Sequence, residues 1–152
     1  MEKRFVVDSM LGKLAKWLRI LGFDTRCERL LRPEQLDGWR REGFLIITRN
    51  HQWRGQDQIV HLRANDPMEQ LHELIAAVGI SRDELQFLRR CVLCNSLLQL
   101  IPRESALGDV PDYVYETNTR FHRCPTCHKI YWPGSHPKRM TDRLASETGW
   151  SL

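Results

Sequence analysis

Two identical cysteine pairs constrain this chain more than anything else in it: Cys91-Val92-Leu93-Cys94 and Cys124-Pro125-Thr126-Cys127. Two residues between the cysteines let one tight turn aim both thiolates at a single ion. Two such turns supply the four sulfurs of a tetrahedral zinc site. The 29 residues between Cys94 and Cys124 (95–123) exceed the usual spacing, and a ribbon with a long hairpin loop absorbs the difference. One pair alone would leave free or redox cysteines open; two pairs, each opening a turn, point to zinc. Four thiolates leave no coordination position for water, so the ion is structural rather than catalytic. His128 and His136 are alternative ligands that a complete set of cysteines makes superfluous.

The chain has 152 residues, which allows one domain or two small ones. Hydrophobic residues make up 41%, enough for a modest core. A ribbon of about sixty residues folds poorly on that share alone, and zinc supplies the missing stability. The formal charge is +4, and four thiolates on a divalent ion shift it by about −2. Such a mild basic excess permits nucleic acid as a partner without demanding it. No apolar run approaches the ~20 residues of a membrane span. The opening Met1-Glu2-Lys3-Arg4 carries no signal-peptide pattern. Reduced thiolates fit a cytoplasmic location. Cys27, the unpaired fifth cysteine, is expected to pack as a small buried hydrophobe.

Phe5 to Val7 reads as a short buried strand ending at Asp8. Ser9 is a good N-cap for a helix to about Leu21, with Leu11, Leu14, Leu18 and Leu21 on one face. Gly22 stops it. A second strand spans Asp24 to Cys27. Pro33 opens a helix to about Glu42, Phe44 to Thr48 is an unbroken apolar strand, and Ile59 to Leu62 a weaker one. Asp66-Pro67-Met68-Glu69 starts a helix ending near Val78, before Gly79. Ser81 to Glu84 is a capping box before a short helix. The alternation predicts an α/β fold with a small parallel sheet over residues 1–89. Beyond Arg89-Arg90, short strands such as Ser96 to Ile101 and the cysteine pairs predict a zinc ribbon with a C-terminal helix over 90–152.

In an open parallel sheet, ligands bind beyond the carboxyl ends of the strands. Asp8 and Thr48-Arg49-Asn50 fall there, and Glu34, on the first turn of a helix, can face the same edge. Clustered acidic oxygens bind a hard cation such as magnesium, which activates water and stabilises charge on a phosphodiester. The competing reading makes Asp8 a helix-capping carboxylate and Glu34 a complement to the helix dipole. Lys13, Lys16, Arg19, Arg49 and Arg54 near that edge hold phosphates or form a solvated face. The ribbon adds Arg120, His122, Arg123, Lys129, Tyr131, Trp132, His136, Lys138 and Arg139. Basic residues interleaved with aromatics suit single-stranded RNA, while Tyr131 and Trp132 equally suit the ribbon's own core.

Phe5-Val6-Val7-Asp8, Met10 through Arg19 and Leu21-Gly22-Phe23-Asp24-Thr25 resemble the opening of the PIN-like RNase family named for the C-terminal domain of the mutator-seven exonuclease. The strand entering Thr48-Arg49 continues the match. So do Arg90 through Asn95, Cys124 through Cys127, and Tyr131 through His136. The resemblance covers nearly the whole chain. It implies a PIN-like nuclease fold carrying a zinc ribbon, and metal-dependent ribonuclease activity with magnesium or manganese. It implies catalytic roles for Asp8, for Glu34 (with Pro33 where an aspartate often stands) and for the position after Thr-Arg. That position is usually aspartate and here is Asn50, a neutral carbonyl in place of a charged ligand. Asp57, in the following loop, is a candidate substitute.

Three functions compete. A metal-dependent endoribonuclease would use Asp8, Glu34 and Asn50 at the edge, with Lys13, Lys16, Arg49, Arg123, Trp132 and His136 holding RNA. A catalytically weakened RNA- or ribonucleoprotein-binding protein would follow from Asn50. A protein-interaction subunit would dock through the ribbon.

Overall fold

The structure, a computed structural model, describes residues 2–135 and 138–152. Its first part is a four-stranded, wholly parallel sheet in the order β2-β1-β3-β4, formed by β1 (Arg4–Asp8), β2 (Asp24–Glu28), β3 (Leu45–Thr48) and β4 (Ile59–His61). Helices α1 (Gly12–Ile20) and α2 (Pro33–Arg41) form the β1–β2 and β2–β3 crossovers, a 3-10 turn (His51–Trp53) lies between β3 and β4, and α3 (Pro67–Val78) follows β4. Side chains alternate across the strands. Phe5, Val7 and Ile47 pack with Leu14 and Leu18 of α1 and Leu71 and Leu74 of α3. Val6 and Ile46 point the other way, against Leu36 of α2, Phe44 and Trp53. Each such fully buried aliphatic or aromatic side chain contributes about 1.5–3 kcal/mol.

The local signals act as expected at most helix ends. Asp66 Oδ2 accepts the N–H groups of Met68 and Glu69 at 3.1 and 3.2 Å, with Pro67 as the first helical residue, and Gly79 closes α3 in the left-handed region. Gly22 has φ of 100° and stands where a Cβ would lie 2.4 Å from the Gln86 carbonyl oxygen. Only glycine fits there.

Three local expectations change. Ser9 does not cap a long helix: Ser9–Leu11 form a 3-10 turn, and α1 begins at Gly12. The capping box at Ser81 yields only a 3-10 turn, Arg82–Glu84. Cys27 is exposed, not buried, because it sits on the outermost strand, which has a neighbour on one side only.

The second part is a three-stranded antiparallel sheet, β5 (Gln99–Ile101), β6 (Phe121–Arg123) and β7 (Ile130–Tyr131), with α4 (Asp112–Thr117) in the loop between β5 and β6. The predicted strand from Ser96 begins only at Gln99, since residues 96–98 pair back across the cysteine turn with residues 89–91 through an isolated bridge between Arg90 and Leu97. Phe121, Val114, Ala106 and Ile130 make a small separate core. The C-terminal helix α5 (Lys138–Thr148), expected to accompany the ribbon, buries Met140 and Leu144 in the core of the parallel sheet with Leu14, Leu18 and Leu71.

The two sheets are tied by polar contacts as well. Arg19 of α1 donates to the Thr25 carbonyl at 3.0 Å and to the Val92 carbonyl, within the first cysteine turn, at 2.9 Å. Asn95 accepts the Thr25 N–H at 3.0 Å and donates to Asp24 Oδ1 at 2.7 Å. Arg19 is thus half-buried and committed to carbonyls, not free for phosphates.

Candidate metal centre and active-site edge

The four cysteine sulfurs lie within 4.8 Å of one another. Cys91 Sγ and Cys127 Sγ are 3.7 Å apart. A zinc ion bonded to sulfur at ~2.3 Å in a tetrahedron sets its sulfurs about 3.8 Å apart, so this donor set fits zinc. The turns are preformed by backbone amides aimed at sulfur. Cys94 N–H donates to Cys91 Sγ, and the N–H groups of Thr126 and Cys127 donate to Cys124 Sγ, each at 3.4 Å. Burial pushes the Cys124 thiol up, but the Cys127 and Thr126 amides outweigh it and bring it down to about 6. Tyr131, buried, places its hydroxyl 3.2 Å from Cys91 Sγ and 3.0 Å from the Val92 N–H. Of its two possible roles, Tyr131 therefore takes the structural one and packs against the metal turns. Trp132 is half-buried and packs against the ribbon core. His128 is exposed and outside the four-sulfur group.

At the carboxyl edge of the parallel sheet, register assembles a polar row. Asp8 pairs with Glu28 across β1 and β2, and Thr48 pairs with His61 across β3 and β4. In-register residues of parallel strands point to the same face, here the α2 side, since Val6 and Ile46 two residues earlier pack there. Thr48 bridges the middle strands: its hydroxyl donates to Asp8 Oδ2 at 3.2 Å and accepts the Asn50 N–H at 3.1 Å. Asp8 is 8% exposed, and its side chain makes no cap bond to the following turn. The helix-capping reading of Asp8 therefore fails; its carboxylate is held by a neighbouring strand, at the sheet's edge.

The other candidates spread out. Glu34 is exposed on the first turn of α2 and lines a shallow depression with Asp37, Arg40 and Arg41. Asn50 is exposed, and its Oδ1 accepts the Gln52 N–H at 3.0 Å, capping the 3-10 turn His51–Trp53. Asp57 is exposed in the next loop. Among the described residues, only the four cysteines group three or more possible metal ligands of the Asp, Glu, His and Cys types. Glu28 is a residue that sequence reasoning missed. The second strand runs one residue past its expected end, which sets Glu28 beside Asp8, and Gln35 of α2 donates to Glu28 Oε1 at 2.8 Å. His61, its Nε2 3.2 Å from the Arg49 carbonyl oxygen, lies 4.8 Å ring to ring from His51.

The basic candidates divide similarly. Lys13, Lys16, Arg49 and Arg54 are exposed. Arg123 is half-buried within the ribbon, bonded to the Ser105 carbonyl and Asp109 Oδ2 at 3.2 Å each. His122 is driven toward its neutral form by burial and by Arg120. His136 lies outside the described residues.

The molecule is thus an α/β parallel-sheet domain with a carboxylate at its strand ends, joined to a four-cysteine cluster able to hold a metal ion such as zinc. The family model described as "Mut7-C RNAse domain" matches residues 3–144, and the chain belongs to that family. No curated protein matches the chain. No helix among the described residues is long and apolar enough to cross a membrane.

Proposed function

We propose that the protein is a metal-dependent endoribonuclease that hydrolyses RNA phosphodiesters at the Asp8 edge. The observation that carries this reading is the buried Asp8 carboxylate, held by the Thr48 hydroxyl and not spent on a helix cap. Magnesium or manganese needs only one or two carboxylates besides the substrate's phosphate oxygens. Asp8 and Glu28, in register on adjacent strands, fit that requirement. Glu34, exposed on the first turn of α2, would supply a further carboxylate to the bound cation. The bound cation would supply a Lewis acid for water and phosphate. Thr48 fixes the direction of Asp8. Gln35 fixes Glu28. Lys13, Lys16 and Arg49 would place the phosphates, and Asn50 shapes the turn that carries Arg49 to the edge. The ribbon contributes RNA contacts, with zinc as its structural ion. The cytoplasm is the compartment that keeps four thiols reduced.

The test is cleavage of single-stranded and structured RNA by pure, zinc-loaded protein with magnesium or manganese. Wild type is expected to cleave and Asp8→Asn to lose at least about a hundredfold in rate, the scale of losing a group that stabilises charge in the transition state. Equal rates for the two proteins under every condition would end the hydrolytic reading. A second reading rests on Asn50, whose only side-chain oxygen is engaged by Gln52 N–H. It is an RNA-binding protein with a weakened nuclease site, and it predicts salt-dependent RNA binding that survives Asp8→Asn. A protein partner at the ribbon would meet Leu97, Leu100 and Tyr113, all exposed.

A further inference from the structure

Between α1 and the ribbon lies a cavity of about 590 Å³ that shares Lys13 and Lys16 with the proposed phosphate path but is lined by neither Asp8 nor Glu28. Its volume falls in the range of ligand sites, roughly 300–1,000 Å³. Trp17 and Tyr131 stand in its apolar wall, and Lys13, Lys16, Arg90 and Lys129 surround them. None of its described lining residues is acidic. Among the described residues no ion pair involves Lys13, Lys16 or Lys129. Four like charges around one concavity repel each other, and an anion entering it relieves that repulsion.

The wall says what kind of anion. Lys13 Nζ lies 5.5 Å from the centre of the Trp17 ring, and Lys129 Nζ lies 5.3 Å from that of Tyr131. Each cation therefore lies over an aromatic face. Inorganic anions have no use for that face, and the carboxylate side chains of an acidic peptide bring no flat group of their own to it. A nucleotide offers both a phosphate and a planar base, in the combination that single-strand sites read. A duplex hides its base faces in the stack and cannot present one. Gly12, the first residue of α1 and four beyond Asp8, also lines the cavity, so part of its wall lies at the end of α1 that follows the carboxyl edge.

We propose that this cavity between helix and ribbon holds unpaired nucleotides of single-stranded RNA, with phosphates on Lys13, Lys16 and Lys129 and a base against Trp17. That it thereby feeds the strand to Asp8 rests on the ribonuclease reading; the binding itself does not.

The experiment uses the full zinc-loaded chain in an Asp8→Asn background, so that nothing is cut. Binding of a fluorescent ten-nucleotide single-stranded RNA is compared with a blunt-ended RNA duplex and with inorganic polyphosphate of matched charge. The single strand is expected to bind at least about tenfold more tightly than either. Lys16→Gln/Lys129→Gln should lower the slope of log affinity against log salt by about 1.4, at ~0.7 for each single-strand phosphate that is no longer neutralised. Trp17→Leu should cost roughly 5- to 150-fold in RNA affinity, the worth of one stacked base, and leave polyphosphate unaffected. Trp17 also packs against the core, so its variant is checked by circular dichroism; if it unfolds, the double lysine variant, altered only at exposed positions, decides. An unchanged slope, polyphosphate binding as tight as RNA, or equal affinity for the duplex would each overturn the proposal. Cleavage that persists while these variants change nothing sinks the cavity alone. Variant-sensitive binding without cleavage in the Asp8 protein sinks the nuclease alone.

Discussion

Asn95 offers the sharpest test of how the ribbon is fastened to the parallel sheet. It follows the first cysteine turn, has φ of 63° and is 8% exposed. Its side chain accepts the Thr25 N–H at 3.0 Å and gives an N–H to Asp24 Oδ1 at 2.7 Å. Thr25 is fully buried on the edge strand, so Asn95→Ala leaves its amide without that partner. An unsatisfied buried amide costs about 1–3 kcal/mol. Alanine held in the left-handed region adds about 1 kcal/mol beyond asparagine, which tolerates it. The lost bond to Asp24 adds about 1 kcal/mol, discounted because Arg26 still pairs with that carboxylate. The sum is roughly 3–5 kcal/mol. Urea unfolding of zinc-saturated protein, followed by circular dichroism, reads it directly. Asn95→Gly isolates the hydrogen bonds, because glycine removes the backbone strain, and should be milder than Asn95→Ala by about 1 kcal/mol. If Asn95→Ala with zinc bound loses less than about 1 kcal/mol, the side-chain amide is not what fastens the two sheets.

Gly22→Ala should lower stability by at least about 2 kcal/mol, because φ of 100° and a backbone oxygen 2.4 Å from the new Cβ both oppose it. Gly79→Ala, at φ of 72° with nothing within 4 Å, should cost only about 1 kcal/mol, and thermal melts of the pair separate clash from strain. Acid should weaken the fold through Glu84 and Asp24. The Lys3 bond and then the Ser81 N–H hold the Glu84 carboxyl below its ordinary range. Burial pushes Asp24 up, but the bonds from Asn95 and Arg26 bring it down. Depressed carboxyls stabilise the native state above their unfolded values, near 4, and that contribution disappears as pH falls through the folded values. Urea midpoints should therefore drop between about pH 5 and pH 3, less steeply in Glu84→Gln. Elemental analysis should find one zinc per chain, and Cys124→Ser should lose it along with the near-ultraviolet signal of the ribbon aromatics.

What the sequence makes legible here is whatever carries its own partner nearby. The leucine spacing of α1, Asp66-Pro67 before α3 and Gly22 after α1 each complete their structure within a few residues, so each is readable in place. The four-cysteine cluster spans 37 positions (91–127) yet is as plain, because each pair forms its own turn and only the joining of two turns is long-range. Asp8 is the opposite case. Beside Ser9 it looks like a cap, and what decides its role is Thr48, 40 residues away. Arg19 looks like part of a solvated helix face until the Val92 carbonyl, 73 residues on, claims it. Met140 and Leu144 announce an amphipathic helix without naming the sheet that buries it. Glu28 is hidden by one residue of strand length, which moves a carboxylate from a loop to the position beside Asp8. The edge where chemistry is proposed consists almost entirely of such distant pairings. Its residue types are visible in the chain, but which of them face one another is fixed by register, and a shift of one residue turns every side chain of a strand to the other face.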